Sequence, residues 1–307
     1  MKSYQISGDF MNGVVNIFKP RGITSHDVVK KMRKVLGIKK IGHTGTLDPN
    51  ASGVLPLCIG KGTRISEYLL DLDKDYIGEL TLGMATDTQD MEGKVISYSN
   101  KEVNESDIYS AFNRFIGEIY QVPPMYSAIK HEGKKLYELA REGKEVERPS
   151  RKVKIYDLKI HQIIGNKKVI FYVRCSRGTY IRTLCNDIGE ILGTYGYMSY
   201  LIRVRVGNFD IKDSYSIEYI ENLSKGDLKE IICPLDKSLI HLDSIDMENK
   251  FYGNLVNGNI IPLGWEMERP YQLNKPMRVY CKGKFIGIGR IFKIDNKVSL
   301  KMDKVLI

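Results

Sequence analysis

Residues 42–57 read Gly42-His43-Thr44-Gly45-Thr46-Leu47-Asp48-Pro49-Asn50-Ala51-Ser52-Gly53-Val54-Leu55-Pro56-Leu57. The first half is rich in turn formers and carries one histidine and one acid; the second half is apolar. Taken alone, Asp48-Pro49-Asn50 is a turn, and His43, between Gly42 and Gly45, is a loop residue. The stretch is not a nucleotide loop. Gly53 and Gly60-Lys61 stand too far apart for a P-loop, and no G-x-G-x-x-G follows a strand anywhere in the chain.

Just upstream, Ser25 precedes a segment whose apolar residues Val28, Val29, Met32, Val35 and Leu36 recur at helical spacing, with Asp27 in the first turn and Gly37 as a C-cap. The opposite face carries Lys30, Lys31, Arg33 and Lys34. Between Lys19 and Arg64 ten Lys/Arg stand against two acids, so much of the chain's +10 formal charge lies around this loop. A basic face beside a turn-rich loop suits a polyanionic partner, although a single Lys-rich helix face is as often merely solvated.

The rest of the composition narrows the class. At 307 residues, one large domain plus a small one is expected, and 42% hydrophobic with 27% charged residues suits a soluble globular chain. The apolar run at Val54 to Ile59 is far too short to span a bilayer, and the polar Met1 to Met11 segment lacks a secretory apolar core, so cytoplasmic location is expected. Five cysteines without a C-x-x-C pair, and five histidines without an H-x-x-x-H pair, lead to the expectation of reduced thiols and no metal.

From Asp75 the pattern alternates, with Tyr76, Gly78, Leu80 and Leu82 on one strand face. Val169 to Cys175 is a second β-rich run, followed by a helix after Gly178-Thr179 with Ile181, Leu184, Cys185, Ile188 and Ile191 on one face and Gly193 at its end. Residues 121–154 are rich in Pro, Gly and charge, reading as an extended loop with a short helix around Leu136 to Arg141. Beyond a break near 246, short β-like runs at Arg278 to Cys281, Phe285 to Ile294 and Val298 to Met302 are separated by turns at Lys282-Gly283 and Asp295-Asn296. Mixed strands and helices without a βαβ repeat predict an α+β fold: a larger domain over 1–245, including the 121–154 insertion, and a small β-rich domain over 246–307.

The 42–57 stretch resembles the catalytic motif of the bacterial TruB family of tRNA pseudouridine synthases, a G-H-x-G-x-L-D-P block followed by a Gly-hydrophobic-Leu-Pro run. Four further blocks agree in order. Asn16 to Ser25 is similar to the family's K-P-x-G-x-T-S block, Tyr76 sits where the family has its active-site tyrosine, Gln121 to Lys130 matches Pro-Pro-x-Tyr-Ser-Ala-x-Lys, and Ser176 to Arg182 matches S-K-G-T-Y-I-R. The resemblance covers residues from about 12 to 210. Asn50 and Ser52 depart from commoner choices, and Ile202 and Val204 interrupt a Leu-Arg-Arg-Thr-Arg pattern around Leu201, Arg203 and Arg205.

That resemblance implies a mixed-sheet pseudouridine synthase domain with a PUA-like C-terminal domain, acting on uridine-55 in the T-loop of tRNA without a cofactor or a protein partner; a monomer is expected. It assigns Asp48 as the catalytic carboxylate, Arg182 as its cation and Tyr76 as the residue that stacks on the target base. His43 would fill the gap left by the extruded base, Tyr180 and Leu201 would line the pocket, and Lys19, Arg177, Arg203 and Arg205 would contact the RNA. Periodicity by itself reads Arg182 as a surface helix arginine and Tyr76 as core. Two rival classes remain at this level: a catalytically silent RNA-binding or RNA-folding protein of the same fold, which has no need of Asp48, Tyr76 and Arg182 together, and a cysteine-dependent uridine C5-methyltransferase, for which a glycine-rich cofactor loop is missing.

Overall fold

The computed structural model describes residues 11–224, 226–263, 272–294 and 297–307. The larger part is built on one mixed sheet. Its strands are β1 (Gly13–Lys19), β2 (Ile41–His43), β3 (Ser52–Ile59) and β4 (Lys74–Leu82). After a small hairpin of β5 (Met84–Thr86) and β6 (Val95–Tyr98) come β7 (Gly117–Gln121), the two-residue strands β8 (Lys130–His131) and β9 (Lys134–Lys135), and then β10 (Arg151–Ile164), β11 (Lys168–Cys175), β12 (Gly196–Val206) and β13 (Phe209–Asp210). The order across the sheet is β1-β3-β12-β4-β11-β10-β7, with β2 against β3 and β13 against β12. Among the described residues only β12 and β3 pair in parallel within it; the other pairs are antiparallel.

Helices close both sides of the sheet. α1 (Ser25–Leu36) packs Val28, Val29, Met32 and Leu36 against Val15, Ile17, Leu55 and Leu57 of β1 and β3. Its cap is Thr24, in a reciprocal capping box with Asp27. Ser25 is instead turned inward: its hydroxyl donates to the Leu47 carbonyl (3.1 Å) and accepts from the Leu47 amide (2.9 Å). After a short α2 (Ser66–Leu70), α3 (Glu105–Asn113) and the later α5 (Ile181–Leu192) cover the β4, β10, β11 and β12 face, where Leu80, Phe171 and Val173 meet Ile108, Phe112, Leu184 and Ile188. The expected apolar face of α5 needs one correction. Ile191 is 44% exposed, and Leu192 takes the buried place beside Gly193, whose φ of 67° ends the helix.

The 121–154 segment folds as expected into an excursion with one helix, α4 (Leu136–Arg141), between the edge strand β7 and β10. It carries its own small core of Met125, Leu136 and Leu139, with Tyr126, Ile129, Ala140 and Val146 packed against it.

A second sheet follows, ordered β14 (Ser244–Met247), β16 (Pro276–Cys281), β17 (Lys284–Ile294), β18 (Lys297–Val305) and β15 (Ile261–Pro262). Ser244 and Ile245 already pair with Arg278 and Val279, so this sheet begins two residues ahead of the expected break at 246. The Lys282-Gly283 turn is present, with φ of 53° and 68°, as a two-residue hairpin turn requires. The Asp295-Asn296 turn lies outside the described residues. Ile288 of this sheet and Leu306, just after β18, pack with Val14, Val54, Leu69 and Leu239, and Arg64 donates to the Val305 carbonyl (2.6 Å).

The parallel junction of β3 and β12 fixes the geometry around the loop that carries Asp48. Gly53, Arg203 and Tyr76 lie in register on three neighbouring strands. Gly53 has φ of 111°, and a Cβ there would stand 2.2 Å from the Arg203 carbonyl oxygen. Gly53→Ala is therefore expected to destabilise the protein by about 3 kcal/mol or more, read from the urea unfolding midpoint; a loss within a few tenths would mean the junction is more pliable than its packing implies.

Candidate active site

Asp48 lies in the loop between β2 and β3, and the backbone on either side of it is clamped. Ser25 holds both polar groups of Leu47. The Pro49 carbonyl accepts from the Gly22 amide (2.9 Å) and from Lys19 Nζ (3.0 Å). Ala51 N donates back to the Asp48 carbonyl (3.1 Å) and Thr44 N to Pro56 O (3.1 Å), so the turn-forming sequence is held as one fixed loop. Its carboxylate is left reachable: the Asp48 side chain is 36% exposed.

Arg182 comes from the first turn of α5 and is only 5% exposed. Its Nε lies 3.1 Å from Asp48 Oδ2 and its Nη2 donates to Asp48 Oδ1 at 3.3 Å, a two-point grip. The other donors are also engaged, Nη1 on the Thr88 carbonyl (3.1 Å) and Nη2 on the Tyr126 carbonyl (2.9 Å). Periodicity misreads this residue because the outer side of the α5 first turn is covered by two other segments, the 86–92 loop and the insertion. Residues 181–185 are buried all round.

A second carboxylate, Asp90, faces the same guanidinium, its Oδ2 3.7 Å from Arg182 Nη1. Sequence reading missed it. Burial pushes its carboxyl above the ordinary range, against the hydrogen bond from Thr88 Oγ1 (2.6 Å) and the attraction of Arg182. Gln89, with φ of 61°, turns the chain so that Asp90 points inward. An acid in the polar Thr86 to Gly93 turn offers no periodic signal; only the approach of β5 and α5 makes it part of the site.

Tyr76 on β4 is 9% exposed, and burial pushes its phenol up to about 12, opposed by the Arg203 guanidinium beside it. Leu201 is buried two residues before Arg203 on β12, opposite Gly78. Tyr180 precedes α5, its backbone held by Gln121, which donates to its carbonyl (3.2 Å) and accepts from its amide (3.0 Å). His43, at the end of β2, is half-buried with Nδ1 unpartnered. Burial, with Arg203 nearby, pushes its imidazole below its usual range, so it is neutral near pH 7. Because the folded value is lowered, its contribution to stability is present above the unfolded value and is lost as pH falls through the folded one. The acid-side loss of stability should accordingly be smaller in His43→Gln, measured by urea unfolding at pH 7 and pH 5.

Of the four basic residues expected to touch RNA, Lys19 and Arg203 are buried and Arg205 is partly so. Lys19 is fully buried; its ammonium donates to the carbonyls of Pro20, Ile23 and Pro49, and burial lowers its pKa to about 8. No donor is left for a phosphate. Arg203 is 1% exposed, with Nε on the Val54 carbonyl (2.7 Å) and Nη2 on the Gly45 carbonyl (3.3 Å). Arg205 grips Asp75 through two bonds of 2.7 Å. Of the four, only Arg177 is exposed, paired with Asp71 at the surface. A buried cation can tie carbonyls together, and Lys19 and Arg203 are used in that way here. Lys19→Met is thus expected to lower Tm while leaving the salt dependence of RNA binding unchanged, measured by titrations at several ionic strengths; a shallower salt slope would return Lys19 to the surface.

Exposed cations do line the outside: Lys30, Lys31, Lys34, Lys39 and Lys40 face solvent on and after α1. Among the described residues, no three His, Cys, Asp or Glu side chains converge to hold a metal ion, and no helix is long and apolar enough to cross a membrane.

A mixed sheet with a parallel β3–β12 junction, beside which a clamped loop presents a partly exposed carboxylate gripped by an arginine from α5, defines an enzyme of the pseudouridine synthase fold. The crystal structure of a Cbf5-Nop10-Gar1 complex superposes with a TM-score of 0.75 at 27% identity, covering 99% of this chain and 87% of that one. An H/ACA RNP bound to a substrate RNA containing 2'-deoxyuridine shares the fold, with a TM-score of 0.74 at 24% identity. Residues 33–181 match the N-terminal domain of the TruB family of pseudouridylate synthases, and residues 182–240 match the tRNA pseudouridylate synthase B C-terminal domain. The tRNA pseudouridine synthase B of Alkaliphilus oremlandii is 45% identical over 96% of this chain and 99% of the relative; that of Clostridium acetobutylicum is 48% identical over 94% and 98%. The chain belongs to the TruB family.

Proposed function

We propose that this protein is a tRNA pseudouridine synthase that isomerises uridine-55 in the T-loop, with Asp48 as the catalytic carboxylate. The observation that carries the reading is the Asp48–Arg182 pair: an acid left open to a ligand while a buried guanidinium grips it at two points. The reaction breaks the N1–C1′ bond, turns the uracil and rejoins it through C5, so nothing is added or removed. A carboxylate beside the ribose suffices to begin it, by attack at C1′, by attack on the base or by removing a sugar proton.

Tyr76 and Leu201 supply the wall against which the extruded base rests, and His43, neutral and half-buried, stands where the stack must be filled behind it. Extruding a base costs a few kcal/mol, and an aromatic stack of about 1–3 kcal/mol offsets much of that. The lysines of α1 and the cations of the insertion orient the RNA through its phosphates. The C-terminal sheet, by its size and position, acts as a PUA-like module on the acceptor stem. The protein works alone, as a monomer, in the cytoplasm.

The test is carbodiimide mapping of unmodified tRNA after incubation with the purified protein and no other component. One new modified position in the T-loop, with no change in RNA mass, is expected. A gain in mass, or activity only with an added guide RNA, would defeat the reading.

A further inference from the structure

Two polar side chains beside Arg182 have no part in the reaction proposed for Asp48. Thr183, the next residue of α5, is only 3% exposed, and its hydroxyl donates to Gln89 Oε1 at 2.9 Å. A threonine inside a helix ordinarily turns its hydroxyl back to a carbonyl one turn earlier; this one reaches across to the 86–92 loop instead. Gln89 is itself in an uncommon state, a non-glycine residue with φ of 61°. Such a conformation costs free energy and persists only where the surroundings fix it. Here the Gln89 amide donates to the Thr86 carbonyl (3.1 Å), its carbonyl accepts from the Met198 amide of β12 (3.1 Å), and its side chain accepts from Thr183. A glycine would adopt this φ at less cost but would bring no side chain to α5.

Gln89 stands between two groups that face Arg182. The Thr88 carbonyl is 3.1 Å from Nη1, and the Asp90 carboxylate is 3.7 Å from the same nitrogen. Two consecutive residues of one helix thus hold three consecutive residues of one loop. The 3.7 Å ion pair tolerates a change of direction, whereas the hydroxyl–amide bond has a narrow geometry and both of its ends are anchored, one in α5 and the other beside β12. A shift of the Gln89 backbone would carry the Thr88 carbonyl and Asp90 with it and turn Arg182, whose Nε and Nη2 grip Asp48.

We infer that Thr183 and Gln89 are a positioning pair: their hydrogen bond seats the 88–90 turn on Arg182 and so sets the angle at which the guanidinium meets Asp48. Neither residue touches the reacting atoms. The pair's effect on rate rests on the proposed function; its effect on the guanidinium does not.

The test begins with Thr183→Val, which keeps the side-chain shape and removes the hydroxyl. Single-turnover pseudouridine formation at saturating enzyme is expected to slow about tenfold, with the Kd for tRNA within about twofold of wild type, and Thr183→Ser should return the rate to within about twofold. Gln89→Leu should match Thr183→Val, and the double variant should be no slower than either alone. In the RNA-free protein, solvent exchange of the Arg182 Nε–H, which lies against Asp48 Oδ2, should quicken about tenfold in Thr183→Val and Gln89→Leu and stay at the wild-type rate in Thr183→Ser. A lowered Tm with unchanged turnover and unchanged Arg182 exchange would reduce the pair to packing and overturn the inference, as would additive losses in the double variant. If Thr183→Val fails to fold, Gln89→Leu, at a half-buried loop position, carries the same two measurements. If the wild-type protein forms no pseudouridine, the proposed function fails, and the Arg182 exchange still decides for or against the pair.

Discussion

Asp48→Asn is expected to slow single-turnover pseudouridine formation by at least about four orders of magnitude while leaving tRNA affinity within about threefold of wild type. The substitution is nearly isosteric, and the loop that carries it is held through its neighbours: Leu47 by Ser25, and Pro49 by Gly22 and Lys19. The amide oxygen can still accept from Arg182, so the loss is confined to the negative charge and the nucleophilic or basic oxygen. The nearest other acid cannot stand in, because Asp90 lies on another nitrogen of the guanidinium, bonded to Thr88 Oγ1 and to the Glu92 amide (3.1 Å). Rapid-quench kinetics at saturating enzyme separates the chemical step from binding. Turnover within about tenfold of wild type would remove Asp48 from its role.

Arg182→Met should be damaging in two measurable ways. It removes a buried cation that faces two carboxylates and holds two carbonyls, from Thr88 and Tyr126, on separate segments. The stability loss is expected to be about 2–4 kcal/mol, below that of a wholly dry pair because the Asp48 side chain keeps 36% of its exposure. The rate should fall by about 10²–10³-fold, the scale of losing one preorganised electrostatic group. Arg182→Lys restores the charge but not the fork, and should recover stability more than rate.

The pH dependence has a definite sign. Burial already raises Asp90, and Arg182 opposes that rise. A carboxyl whose folded pKa is raised contributes stability below its unfolded value and loses it as pH climbs through the folded one. Without the guanidinium the rise is larger, so the deficit of Arg182→Met relative to wild type should be greater at pH 7 than at pH 5 in urea unfolding. Equal deficits would uncouple Asp90 from the site.

Where the sequence was legible, local physics had one dominant solution. The helix from Ser25 to Leu36 is marked by its apolar spacing and by a glycine placed where φ turns positive at its end. Strand β4 alternates because one side packs on α5 and the other is half-covered, and α4 coincides with Leu136 to Arg141. By contrast, β3 is buried along its whole length and contains Pro56, so it shows neither alternation nor a clean strand composition. The long β10 and β12 carry bulges that shift their periodic phase, and neither stands out as a strand from pattern alone.

The order of residues alone determined the family-defining blocks, the basic surplus around the loop that carries Asp48 and the presence of that acid in a turn. Tertiary structure alone decided which charges face inward. Lys19, Arg203 and Arg205 became internal ties, Arg182 left the helix surface for the site, and Asp90 joined it. The reason is that a charge reports its type in sequence, but its energy depends on desolvation and on partners that come from distant segments: Arg182 takes its contacts from residues 48, 88, 90 and 126, which no local window places together.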